Sequence, residues 1–273
     1  MLDELERWWE SGGREILRPG ENRTPWRASN AGWAIECPRR LVYQAIGAPQ
    51  DPAADLELRA HFTFSQGDAL EDVAIKALER AGLLVSGFQT EMAWDIDLDE
   101  GELGRSLRIV GHRDLRWEHG GASYVVDIKG LNHWVAKALY EDAHVHSVAQ
   151  ANSYAFHAGD GPIARAGLFV IDKMQGLPRA IEWDTDERLA RAVDDGFAAA
   201  ARDAWGPARE EYEPTLARGF EPNHRGDLPW QCGYCPWARS CWEGLGVTQS
   251  GKDIHKLRIP AAARRGGRDG RRD

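Results

Sequence analysis

Three stretches in the middle of the chain, 88–97, 106–117 and 122–130, alternate apolar and polar residues or are rich in β-branched and aromatic ones. That pattern predicts strands. Before them, 66–82 carries Leu70, Val73, Ala74, Ala77, Leu78 and Ala81 at helical spacing, with Gly82 as the stop. After them come a helical region over about 133–157, a buried strand at 166–172, a short strand at 180–184 and an amphipathic helix over 187–205. Residues 1–60 are rich in Trp and Arg and read as mostly helical, with a loop at 47–55. A Pro/Gly-rich segment leads into a cysteine-rich end. The order α-β-β-β-α-β predicts an α/β fold, a mixed central sheet flanked by helices. No internal repeat is visible. The expected division is a helical N-terminal arm (1–60), a core (61–185), a helical C-terminal part (186–250) and a basic, disordered tail (251–273).

Composition narrows the class. With 42% hydrophobic and 28% charged residues, the 273-residue chain is neither disordered nor fibrous. No run approaches the roughly 18 apolar residues of a membrane span, and the acidic start MLDELERWWESGG lacks a secretory layout. A cytoplasmic protein is the expectation. The formal charge is -9, yet residues 252–273 carry +5, which leaves the body at -14. Such a body does not bind nucleic acid by bulk charge. It can still meet phosphate through bound cations, and the Gly/Arg-rich tail could add a weak grip on a polyanion.

The four cysteines are Cys37, Cys232, Cys235 and Cys241. Without a secretory signal a disulfide framework is not expected. A C-x2-C pair followed closely by a third Cys suits one metal centre, and Cys37 supplies a fourth sulfur from far upstream. Zinc and a [4Fe-4S] cluster both fit, and either would tie the N-terminal arm to the C-terminal end. Pro38 predicts that Cys37 caps a helix, where the positive helix end should lower the thiol pKa.

Gly120-Gly121 between two alternating stretches signals a two-residue hairpin. That register sets Asp114 opposite Asp127 and His112 opposite Lys129, with Asp127 and Lys129 on one face. Two neighbouring carboxylates beside an ammonium are costly unless a cation lies between them. Mg²⁺ or Mn²⁺ suits oxygen ligands. Glu71 lies at the edge of its helix's apolar stripe, whereas Asp68, Asp72 and Glu79 lie on the opposite side. Gln150 and Tyr154 share a helix face. Of the nine His residues, only His112 shares the expected site and could touch substrate. Trp134 could stack on a base, and Lys173, after the strand 166–172, could meet a phosphate.

Together these residues resemble the PD-(D/E)XK nuclease superfamily, and more narrowly its RecB-like exonucleases with an iron–sulfur cluster. That group includes the CRISPR-associated Cas-four family, the AddB nuclease domain and Cas-four-like phage exonucleases. Gly67-x3-Glu71 fits the first motif, where many relatives carry His in place of Glu. Gly111-His-Arg-Asp114 fits the second, Asp127-Ile-Lys129 the (D/E)xK core, and Gln150-x3-Tyr154 the QxxxY motif. Cys37-Pro-Arg-Arg with Cys232, Cys235 and Cys241 fits the split four-cysteine cluster.

The resemblance implies a restriction-endonuclease-like core and a metal-dependent DNA exonuclease acting in recombination, repair or degradation. Single strands or DNA ends would be the substrate. Glu71, Asp114, Asp127 and the Ile128 carbonyl would hold one or two Mg²⁺ or Mn²⁺ ions, with Lys129 aiding the attacking water. Gln150 and Tyr154 would position the DNA strand and the Asp/Lys pair. It also implies a structural [4Fe-4S] cluster, and partners in recombination or CRISPR adaptation. The alternatives are a processing factor in CRISPR spacer acquisition and a non-catalytic DNA-binding protein with a four-cysteine zinc site. A phage-encoded chain would work in the host cytoplasm.

Overall fold

The computed structural model describes residues 24–51, 58–98, 105–133, 135–137, 145–158, 165–206, 214–243, 245–249 and 256–260, with side chains omitted for 58–64. In chain order the elements are α1 (Ala31–Glu36), α2 (Pro38–Ala45), α3 (Leu58–Arg80), β1 (Val85–Ser86), β2 (Thr90–Asp97), β3 (Ser106–Arg113), β4 (Leu115–His119) and β5 (Ala122–Leu131). Then follow α4 (Val145–Phe156), β6 (Arg165–Asp172), β7 (Pro178–Asp184), α5 (Glu187–Trp205), α6 (Trp230–Gly233), α7 (Ala238–Cys241), β8 (Thr248–Gln249) and β9 (Leu257–Arg258). The fold is mixed α/β. Residues 1–23, most of the tail 251–273, and Trp134 lie outside the described residues, and so does 138–144 of the expected helix over 133–157.

Two compact units divide the chain: one within Met1–Gly32 and Leu56–Asp195, the other within Trp33–Asp55 and Gly196–Asp273. The first holds a five-stranded sheet in the order β1-β4-β5-β6-β7 and a separate β2–β3 ribbon. Only β5 and β6 run parallel; the other neighbours are antiparallel. The β4–β5 hairpin turns on Gly120 and Gly121, both left-handed at φ 59° and 80°, as a type I′ turn requires. Its register, Leu115↔Val126 through His119↔Ala122, is the one the two glycines predict.

The central strand β5 explains its own sequence. It is flanked on both sides and covered on both faces, so Tyr124–Val126 and Ile128 form a nearly continuous apolar run. One face sets Tyr124, Val126 and Ile128 with Leu115 and Ile171 against Leu70, Ala74, Ile75 and Leu78 of α3. The other face carries Leu131, Leu168, Val170, Ile181 and Trp183, packed with Ala151 and Val148 of α4. By strand alternation Asp127 and Lys129 belong to this second face.

The helical stripe of α3 is rotated from the one the spacing suggests. Val73 is 61% exposed and Ala77 and Ala81 are also exposed, while Ile75 turns inward. The sheet, rather than the most apolar arc, chooses the face. The rotation brings Glu71 between Leu70 and Ala74, three and four residues before Ala74 and Ile75.

The expected single strand over 106–117 is broken at Asp114 into β3 and β4, which belong to different sheets. This corrects the position of His112. It pairs with Glu91 in the ribbon and is exposed, instead of facing Lys129. Alternation cannot be extended through a break in the ladder.

In the second unit Cys37 is the N-cap of α2 with Pro38 in its first turn, as expected. Arg39 donates to the Leu216 carbonyl at 2.7 Å, and the Trp237 indole N–H donates to the Ala48 carbonyl at 3.0 Å. Tyr43 stacks on Trp237, with ring centroids 6.1 Å apart. Asp51 accepts the Arg239 N–H at 2.7 Å. These long-range ties, with a core of Leu228, Trp242, Leu257 and Ile259, hold 33–51 to 214–243 and 256–259. Among the described residues no helix is long and apolar enough to cross a membrane.

Candidate active site

The first unit gathers four of the sequence-selected residues around the middle of β5. Asp127 is wholly buried. Its Oδ2 meets Lys129 Nζ at 2.7 Å, and its Oδ1 has no hydrogen-bond partner. Asp114 is 7% exposed, and its Oδ2 accepts the Ile128 N–H at 2.6 Å. Asp114 thus sits one step beyond the paired end of β4, with its side chain laid over β5. The Lys129 side chain is 28% exposed, with its ammonium held against the buried Asp127.

The electrostatics follow from this crowding. Burial, then the charge of Asp127, push Asp114 up to about 8, although Lys129 and the Ile128 N–H oppose the shift. Burial also raises Asp127 against the pull of Lys129. Burial works against the Lys129 ammonium, but Asp127 and Asp114 outweigh it and the net direction is up. Glu71 is raised by burial and by Asp127, with Lys129 opposing. Three acids thus feel one another around one ammonium, and a single positive charge does not balance them.

Tyr154, 2% exposed on α4, has its hydroxyl hydrogen-bonded to Gln150 and to the His112 backbone. Burial and the charges of Asp127 and Asp114 raise its pKa. Gly111 is needed beside it, since a Cβ there would collide with the Tyr154 hydroxyl and lie 3.0 Å from the Ala28 Cβ. The Gly111 and Tyr154 motifs are therefore two sides of one contact. Lys173 stands beside Gly67, its Nζ 3.6 Å from where a Cβ of that residue would lie, and packs along Gly130. Burial lowers its pKa, with Asp68 opposing.

Sequence reasoning missed Gln89. Its side-chain N–H group donates to Asp114 Oδ1 at 3.2 Å and also to Glu71 Oε1. Its only advance signal is its place at the start of the alternating stretch 88–97.

All four cysteines lie in the second unit and are free thiols. Cys232 packs with Cys235 and Cys241 in one apolar cluster. Burial raises Cys37, which also feels Cys241, although backbone hydrogen bonds from Gly219 and Arg40 pull the other way. The helix-end lowering expected at Cys37 is thus overturned by desolvation. Burial and the neighbouring sulfurs push Cys232 up to about 12. Burial pushes Cys235 up to about 11, against the Arg40 charge.

Among the described residues, no three His, Cys, Asp or Glu side chains form a ready-made metal shell. The donor chemistry nevertheless fits bound metal in both places. Asp127 has an orphaned buried oxygen next to two more carboxylates, and four neighbouring thiols, Cys232 buried and the other three half-buried, suit a thiophilic centre that takes up thiolates.

No protein-family profile and no curated protein matches the chain. Among solved structures, the protein SSO0001 is 16% identical with a TM-score of 0.48, over 88% of this chain and 96% of that one. An alkaline exonuclease, LHK-Exo from Laribacter hongkongensis, is 14% identical with a TM-score of 0.41, over 65% of this chain and 86% of its own. Its complex with dAMP is similar at 13% identity and the same TM-score. Likeness at this level fixes neither family nor activity.

Proposed function

We propose that the chain is a metal-dependent DNA exonuclease of PD-(D/E)XK type, acting on single strands or DNA ends. The observation that carries this reading is Asp127: a fully buried carboxylate with one oxygen on Lys129 and the other without a partner. Leaving such an oxygen unsatisfied is costly, and a cation shared with Asp114 and Glu71 supplies what is missing. Mg²⁺ or Mn²⁺ matches the all-oxygen donor set, with the Ile128 carbonyl as a further candidate ligand.

When bound, the ion supplies an activated water and charge compensation on the scissile phosphate. The chain does the rest. Asp114 and Asp127 fix the ligand positions, Asp114 because the Ile128 N–H holds its Oδ2 at 2.6 Å. Lys129 keeps its proton, held by Asp127 at 2.7 Å, and offers fixed positive charge where the phosphate oxygens gain negative charge. Gln150 and Tyr154 pin α4 against the His112 backbone, which keeps the second face of β5 in register with the substrate side. Lys173, beside Gly67, is a candidate phosphate contact, whereas His112, exposed on the ribbon, is not grouped with the site.

The four cysteines hold a structural [4Fe-4S] cluster in this reading. Hydrolysis needs no electron transfer, and the cluster's role is to staple 33–51 to 214–243 and 256–259. Incubation with end-labelled single- and double-stranded DNA, with Mn²⁺, Mg²⁺ or chelator, tests the activity. Metal-dependent mononucleotide release that Asp114→Ala abolishes supports it. Degradation undiminished in both Asp114→Ala and Lys129→Ala rejects the assignment.

A further inference from the structure

The first unit crosses between its five-stranded sheet and its β2–β3 ribbon at two places, and the crossings face each other. On one arm β1 ends at Ser86 and β2 begins at Thr90; on the other β3 ends at Arg113 and β4 begins at Leu115. Ser86 pairs with Arg116 and Thr90 with Arg113. Three residues, 87–89, therefore stand opposite two, 114 and 115. One extra residue against a partner strand is a β-bulge, and bulges re-aim side chains.

Gln89 is where the bulge is resolved. Among the described residues it is the only non-glycine with positive φ, at 45°. Its own N–H donates to the Asp114 carbonyl at 3.1 Å, which ties the bulge to the break between β3 and β4. Its side chain then turns to Asp114 Oδ1 and Glu71 Oε1. As carboxylates both partners are acceptors, so the NH2 end of the amide faces them, one hydrogen for each. A residue that prefers other backbone conformations is kept in a left-handed one and spends its amide on two acids.

We infer that Gln89 is a positioning residue for the divalent cation: its amide holds Glu71 and Asp114 side by side, so that their remaining lone pairs converge beside Asp127. The inference rests on the proposed metal site and adds a residue to it. Asp114 is then fixed at both oxygens, by the Ile128 N–H and by Gln89, while Glu71 keeps Oε2 for the ion. Hydrogen bonds to ligand carboxylates set their orientation, and losing one costs about 10–100-fold in metal affinity.

The test is Mn²⁺ binding to the full chain freed of loosely bound divalent ions, followed by electron paramagnetic resonance of free Mn²⁺. Gln89→Ala should weaken binding by about tenfold or more. Gln89→Gly should weaken it equally, because glycine accepts the backbone conformation yet lacks the amide. In activity assays the Mn²⁺ concentration for half-maximal rate should rise in both variants, while the rate at saturating Mn²⁺ is largely kept. Asp127→Asn serves as the control and should abolish tight binding. Unchanged affinity in both Gln89 variants beside a lost one in Asp127→Asn overturns the role of Gln89 alone. So does a loss in Gln89→Ala that Gln89→Gly restores, since that would be backbone strain. Unchanged affinity in Asp127→Asn overturns the metal site itself, and this inference with it.

Discussion

The Ile128 N–H donates to Asp114 Oδ2 at 2.6 Å, across the point where β3 gives way to β4. This bond does two things. It satisfies a main-chain donor that the broken strand leaves without a ladder partner, and it sets the Asp114 carboxylate beside Asp127.

That placement makes the metal-free protein sensitive to pH. The folded pKa of Asp114 is raised to about 8 from the ordinary 3.8. Between those values the native state binds more protons than the unfolded state, so stability falls as pH rises through the window. Below the unfolded pKa both states are protonated and nothing is lost. Asp114→Asn keeps an acceptor for the Ile128 N–H but carries no charge. Without added divalent ions it should melt higher than the wild type at pH 8, by of the order of a few kcal/mol, with the gap closing toward pH 4. Thermal melting at several pH values reads this out. A gap that stays constant with pH would contradict it.

Lys129→Met separates catalysis from cation binding. Removing the ammonium frees Asp127 Oδ2 and removes a positive charge that competes with the metal. Mn²⁺ should bind more tightly while single-turnover cleavage falls by about 10²–10³. Weaker Mn²⁺ binding in this variant would show that Lys129 organises the ligands instead.

Gly111 and Tyr154 should be coupled. Gly111→Ala sets a methyl group into the Tyr154 hydroxyl and should cost about 1–3 kcal/mol as overpacking. Tyr154→Phe removes the obstructing oxygen. The glycine substitution should therefore cost less in the Phe background, although the ring carbon and Ala28 still crowd the methyl. A double-mutant cycle by urea unfolding measures the interaction, and simple additivity would argue against the contact.

The cysteine centre predicts about four irons and four acid-labile sulfides per chain after anaerobic purification. Cys37→Ser should lower both and destabilise the protein. Gly219→Ala should do the same without touching a sulfur, because its Cβ would lie 2.7 Å from the Cys37 Cα and would also meet the Glu36 carbonyl. Zinc with no sulfide would support the zinc alternative.

The sequence by itself determined much of the framework. The two glycines dictated the hairpin register, since consecutive left-handed residues leave a type I′ turn and hence one pairing. Alternation marked β2 and β3, a buried apolar run marked β6, a short stretch marked β7, and Asp127 and Lys129 stood out as polar residues in an apolar run. Periodicity is local, and these features are local. Four things were decided by tertiary structure. The face that α3 buries was set by the sheet it meets, so Val73 is outside and Ile75 inward. The desolvation that raises Cys37 outweighs its helix cap. His112 left the expected site because Asp114 breaks the strand, and a break between sheets has no signature in alternation. Gln89 entered because a bulge on the opposite arm turns its side chain to Asp114 and Glu71, and the count of three residues against two exists only once both arms are paired.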